Sequence, residues 1–210
     1  MSQPSDSTTD VSSGDLVGGQ SKDSIPERLG VISDVHGNLT ALQAVLEAMP
    51  AVDAIVHAGD TVGYGPRPDA CVTRLRDHDV YAVQGNHDMT MFTERTYESG
   101  GKHAKNVLSD PNRTWLQSLP TRRRLWNDRV RVTHGHPEDP HQYTFPEDFA
   151  PDLLDGEDIL VLGHTHIQAA EQFDGRWVLN PGSVGQPRDG DPRAAYATVD
   201  LADGDVSLHR

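Results

Sequence analysis

The stretch Val80-Tyr81-Ala82-Val83-Gln84-Gly85-Asn86-His87-Asp88 decides the fold. Four apolar residues make a short buried strand, and it ends in a glycine, an amide, an imidazole and a carboxylate. A turn accounts for Gly85 and Asn86, but not for the imidazole and carboxylate that follow. The same kind of ending recurs. The apolar run 29–33 leads into Asp34-Val35-His36, and 54–58 leads into Gly59-Asp60. The run 129–133 leads into His134-Gly135-His136, and 159–162 leads into Gly163-His164-Thr165-His166.

Between the first three runs lie two helical patterns. Asn38 opens one, with Leu39, Leu42, Leu46 and Met49 on one face and Pro50 as the stop. Residues 68–78 form the other, with Cys71, Val72 and Leu75 facing inward. This β-α-β-α-β order predicts a parallel sheet with helical crossovers. Residues 88–118 read as further helices, broken at Pro111 and Asn112 and anchored by Trp115, Leu116 and Leu119.

The second half changes character. Hairpins are expected at 122–133 around Asn127-Asp128, at 171–179 around Asp174-Gly175, and at 194–209 around Asp203-Gly204. Two mixed sheets are therefore implied, packed on each other with helices outside.

In open α/β sheets ligands bind at the carboxyl ends of strands. The groups collected there are Asp34, His36, Asp60, Asn86, His134, His164 and His166. Oxygen and imidazole donors without sulfur suit Mn²⁺, Fe, Zn²⁺ or Ni²⁺ better than Ca²⁺. Seven donors exceed the needs of one ion and match two with a shared carboxylate, about 3.5–4 Å apart. His136, two residues past His134, is an alternative donor; His134 is preferred because it follows the strand directly.

The ordered motifs D-x-H, GD, GNHD, H and GHxH resemble the calcineurin-like metallophosphoesterases, over residues 29 to about 200. SDVHGN, GDTVGYGP, THGHP and NPGSVGQPR are similar to the small bacterial and archaeal phosphodiesterase branch. The resemblance implies a four-layer αββα sandwich and a binuclear metal-dependent phosphoesterase. It assigns Asp34, His36, Asp60 and His166 to one ion and Asp60, Asn86, His134 and His164 to the other. Asp60 then bridges, and Mn²⁺ is the expected metal. The implied reaction is in-line attack of a metal-bridging hydroxide on a small phosphodiester, with His87 assisting the leaving group. Asp88 either orients that imidazole or caps the following helix. A phosphomonoesterase, protein phosphatase or dinucleoside polyphosphate hydrolase shares the same site chemistry. A non-catalytic scaffold of this fold predicts lost ligands, whereas all seven and His87 stand here.

Asn180 and Arg188 of NPGSVGQPR, with His136, are candidate substrate contacts, and Tyr64 and Arg67 are candidates to line the pocket by their proximity to Asp60 along the chain. Asn180 to Ser183 is first of all a turn signal. His57 reads as a packed, hydrogen-bonded core residue. His103, His141 and His209 read as surface residues, His78 as a helix end, and Arg122 to Arg124 as a solvated hairpin face.

The remaining features bound the function. The net charge is −14, with 24 Asp among 32 acidic residues and 3 Lys among 18 basic ones. Such a surface repels nucleic-acid backbones and anionic membranes and suits a high-salt, halophilic cytoplasm. No apolar run reaches the ~20 residues of a membrane helix, and no basic-then-apolar leader opens the chain, so a cytoplasmic protein is expected. Cys71 alone can form no internal disulfide. Residues 1–26 are Ser-, Asp- and Gly-rich without periodicity and are expected to be a disordered tail before one domain at 27–210.

Overall fold

The computed structural model describes residues 24–93 and 98–210. Most of the expected tail, residues 1–23, lies outside the described residues, as do residues 94–97 of the helical stretch. Strands β1 (Arg28–Ile32), β2 (Ala54–His57) and β3 (Tyr81–Ala82) run parallel, joined by helices α1 (Leu39–Ala48) and α2 (Pro68–Asp77). Three more helices follow, α3 (Asn86–Thr90), α4 (Glu98–Val107) and α5 (Asp110–Ser118). The rest is mostly strand: β4 (Arg122–Leu125), β5 (Val130–Thr133), β6 (Ile159–Val161), β7 (Gln168–Phe173), β8 (Arg176–Pro181), β9 (Tyr196–Asp200) and β10 (Asp205–His209).

The strands form two five-stranded mixed sheets, ordered β10-β9-β1-β2-β3 and β4-β5-β6-β8-β7. The expected hairpins are present: β4–β5, β7–β8 and β9–β10 pair antiparallel. Strand alternation sorts the apolar residues into layers. Leu29, Val31, Val56, Val130, Val132, Ile159, Val161, Leu179 and Val199 fill the space between the sheets. On the outer face of the first sheet, Ile32 packs against Leu42 and Val45 of α1, Val72 and Leu75 of α2, and Leu116 of α5. Leu160, Leu162 and Val178 face the other way, under Phe149 and Leu153. The fourth layer here is thin, built from 3-10 turns at Pro146–Asp148 and Pro151–Leu153.

Several local expectations are corrected. Within α1, Val45 joins the expected inward face, where Leu42 is fully buried and Leu39, Leu46 and Met49 pack half-buried against the same cluster. Pro111 does not break a helix. It sits in the first turn of α5, where a residue without an N–H leaves nothing unsatisfied. Asn112 is buried in that helix and donates to Asp69 Oδ1 at 2.7 Å, tying α5 to α2. Asn180 and Pro181 belong to β8, and the turn begins only at Gly182, with φ +78°. His209 is no free surface group: its ring stacks on Tyr196 at 4.6 Å.

Register places the site. Ile32, His57 and Ala82 are aligned across the first sheet, and Val132, Val161 and Leu179 across the second. Within each sheet the carboxyl ends of β1, β2 and β3, and of β5 and β6, therefore finish within a residue of one another, while β8 runs two residues further. Stitches join the two sets of tips: His164 N donates to Asp34 Oδ2 at 3.1 Å, and Val184 N to the Ser33 carbonyl at 3.0 Å.

Candidate metal centre

Asp34, His36, Asp60, His164 and His166 all have positive φ, between +49° and +68°. They account for half of the ten non-glycine residues in that region among those described; the others are Asp79, Trp126, Asn127, Asp128 and Asp174. Left-handed backbone costs an L-residue about 1 kcal/mol or more. The chain turns sharply at each tip, so the D-x-H and H-x-H pairs converge by turning and not by extending their strands. Gly85 permits the closest approach: a Cβ there would lie 2.0 Å from Asp60 Oδ1.

The turned-in groups form overlapping sets. Asp34, His36 and His166 offer ligand atoms within 4.8 Å of one another; so do Asp60, His134 and His164, and so do His36, Asp60 and His87. In the first set, Asp34 Oδ1 lies 3.2 Å from His166 Nε2 and 3.7 Å from His36 Nε2. Asp60 Oδ2 lies between the sets, 3.7 Å from His36 Nε2 and 3.3 Å from His134 Nε2. Asn86 Oδ1 is 3.1 Å from the same His134 nitrogen. His136 is in none of these groups. Its Nδ1 accepts from Glu138 N, and it lines a cleft with Arg131, Asp152 and Asp155.

Backbone carbonyls fix the tautomers. His36 Nδ1 faces Val62 O at 3.0 Å, His134 Nδ1 faces Ala58 O at 2.8 Å, and His166 Nδ1 faces Gln186 O at 2.6 Å. His164 reverses the pattern, with Nε2 on His141 O at 3.2 Å. A carbonyl only accepts, so each of these nitrogens carries a proton and the opposite nitrogen is the one turned to the cleft. His36 Nε2 and His166 Nε2 face each other at 3.0 Å. Buried Asp34 Oδ1 beside them has no hydrogen bond. Such an arrangement asks for a cation, and the donor set fits a divalent transition metal.

Electrostatics agree. Burial would raise the Asp34 and Asp60 carboxyls, but His166 and His134 outweigh it and hold both well below the usual carboxylate range. Burial lowers His36 to about 4, and with the added charge of His134 it lowers His164 to about 4. His134 moves the other way. Burial would lower it, yet Asp60 beside it raises it to about 9, so a proton holds the place between Asp60 and Asn86.

His87 is buried at the same cleft, its ring 5.0 Å from that of His36. Asp88 follows it in the first turn of α3. Its carboxylate accepts from Gly85 N, Thr61 N and Val62 N, pinning the start of α3 to the loop after β2. Burial, with the Asp60 charge, raises Asp88 to about 7. Asn180 is fully buried, donating to Gly163 O and Thr165 Oγ1 and accepting from Gly182 N. It braces the histidine loop from behind. Arg188 is exposed at the mouth, 5.9 Å above the Tyr64 ring, and that ring lies 4.8 Å from both His36 and His87.

His57 is fully buried, but neither ring nitrogen has a hydrogen-bond partner, contrary to expectation. Burial lowers it to about 4. Cys71 is buried, its thiol pushed up to about 12, which removes it as a nucleophile. Tyr143 carries no motif, yet it stacks on His164 at 3.9 Å and 9°. A tyrosine seven residues past a loop histidine offers no periodic signal by which to find it.

Residues 28–204 match the calcineurin-like phosphoesterase superfamily domain. An uncharacterized protein of Methanocaldococcus jannaschii is 32% identical over 89% of this chain and 88% of its own length. The phosphodiesterase YfcE of Escherichia coli K12 is 33% identical over 82% of this chain and 87% of its own. A crystal structure of a metallophosphoesterase from Sphaerobacter thermophilus superposes with a TM-score of 0.76 at 33% identity, over 87% of each chain.

Proposed function

Because the chain belongs to the calcineurin-like phosphoesterase superfamily, we propose that it is a binuclear metal-dependent phosphodiesterase acting on a small phosphodiester. The observation that carries this reading is the facing pair of ring nitrogens on His36 and His166 beside the unbonded Asp34 Oδ1, with Asp60 Oδ2 between two donor sets. Asp34, His36 and His166 would hold one cation and Asn86, His134 and His164 the other, with Asp60 able to serve both. Two divalent cations there would neutralise phosphoryl oxygens and make water nucleophilic near neutral pH. Imidazole and carboxylate donors favour Mn²⁺, with Fe, Zn²⁺ and Ni²⁺ as competitors.

The chain's own groups do the rest. The four carbonyls hold the imidazole rings in orientation, so no ring need turn to bind a cation. Asp88 fixes the loop that presents Asn86 and His87. The His87 imidazole gives a proton to the departing alkoxide. The Arg188 guanidinium and the Tyr64 ring take one arm of the ester at the mouth. A local cation pair is what admits an anionic substrate to a chain of net charge −14. No helix among the described residues is long and apolar enough to cross a membrane. We read the aspartate-rich surface as that of a halophilic, cytoplasmic protein.

The test is hydrolysis by Mn²⁺-loaded protein of bis- and mono-p-nitrophenyl phosphate. Diester turnover abolished by chelation supports the proposal. Monoester turnover alone moves the assignment to a phosphomonoesterase, and no turnover of either rejects it.

A further inference from the structure

We propose that Tyr143 and Phe145 form a stacking subsite for a nucleobase carried on one arm of the phosphoester; this rests on the phosphodiesterase reading above. The Tyr143 ring lies parallel to that of His164, 3.9 Å away, and Phe145 continues the stack at 5.6 Å and 16°. The ladder therefore begins on a metal-ligand candidate and runs outward from the cleft. Its outer members are open to solvent: Tyr143 is 46% exposed and Phe145 36%. A role in holding His164 explains the inner face of Tyr143. It does not explain a second ring stacked beyond it in water.

The ladder is held in place without a ligand. His136 N donates to Gln142 O at 2.9 Å, His164 Nε2 to His141 O at 3.2 Å, and Phe145 N to Asp148 Oδ2 at 3.0 Å. Rings already ordered lose little freedom when something stacks on them. A flat, uncharged π-face beside an anion-binding centre matches a nucleotide, whose base is a π-face and whose phosphate is the anion. Net charge −14 argues against a long polyanion and for a substrate of one or two nucleotides.

The experiment measures binding of adenosine 5′-monophosphate and of ribose 5-phosphate to Mn²⁺-loaded protein by calorimetry, for the wild type, Phe145→Ala and Phe145→Trp. The expected result is a loss of about five- to a hundredfold in affinity for the nucleotide in Phe145→Ala. Ribose 5-phosphate binding and Mn²⁺ content stay unchanged, and Phe145→Trp keeps nucleotide affinity. Equal loss for both ligands, or no loss for the nucleotide, overturns the subsite. Unchanged nucleotide binding with a shift in sedimentation would assign the rings to contact between copies and also overturns it. Bis-p-nitrophenyl phosphate turnover, run in parallel, separates the two ideas. Turnover without base discrimination sinks only the subsite, and absent turnover sinks the hydrolase reading.

Discussion

The backbone N–H of His87 donates to Asp60 Oδ1 at 2.8 Å, while Asp60 Oδ2 faces His36 and His134. One carboxylate thus ties the ligand position proposed to be shared to the residue proposed to assist the leaving group. Asp60→Asn replaces one oxygen with an amide, removing the charge that serves both sets. Bound Mn²⁺ should fall from two ions toward one or none by elemental analysis, and turnover should fall by more than about a hundredfold. Two full sites in the variant would contradict a shared Asp60.

His87→Ala leaves that backbone bond and the donor groups intact. Metal content should stay at the wild-type level while kcat drops about 10²- to 10⁴-fold, the usual range for losing a general acid. The drop should be smaller for p-nitrophenolate, which leaves without a proton, than for an alkoxide. Equal losses for both leaving groups would remove His87 from proton transfer.

Gly85→Ala tests the packing of the tip. Its Cβ would meet Asp60 Oδ1 at 2.0 Å and Asp60 N at 2.4 Å, so backbone must move. Metal content and melting temperature should both fall, the latter by several degrees. A variant with wild-type melting and two ions would show that the loop yields freely.

The metal-free protein should lose stability as the pH falls from about 6.5 to about 4. His36, His57 and His164 are neutral in the fold down to about 4 but take protons near 6.5 when unfolded. Each contributes about 1.4 kcal/mol per pH unit in that window. Asp88 opposes with one proton, since its folded carboxyl stays protonated up to about 7. His134, raised to about 9, contributes stability that is complete below 6.5 and lost only as the pH rises through 9. The net slope is positive between 4 and 6.5. Urea unfolding across this range measures it, and a flat profile would deny the buried neutral histidines.

Added salt should raise the melting temperature. Going from about 0.1 M to about 1 M KCl shortens the screening length from ~10 Å to ~3 Å and relieves self-repulsion of a chain at −14. Calorimetric scans at both concentrations check this. A lower melting temperature at high salt would count against the high-salt reading.

Much of this was legible along the chain. Period-2 runs such as Val130 and Val132, or Ile159 and Val161, carry the strands, and polar clusters after them mark one edge of each sheet. What could not be read was geometry set by distant carbonyls. Nothing near Asn180 says that its amide is consumed by Gly163 and Thr165. Asp88 stood equally between two roles until the N–H groups of Thr61 and Val62 claimed it. Pro111 looked like a breaker because its place in the first turn depends on where Ser109 starts the helix. The aromatic ladder escaped for the same reason: Tyr143 meets His164 across the fold and not along the chain.

The left-handed turns at Asp34, His36, Asp60, His164 and His166 also constrain how this sequence can drift. Glycine, asparagine and aspartate accept that backbone cheaply, while branched residues do not. A descendant that abandoned its chemistry could not refill the cleft with valine or isoleucine without rebuilding every loop. It would keep small or polar residues at these five places, a fossil imprint of the lost centre that outlives the histidines themselves.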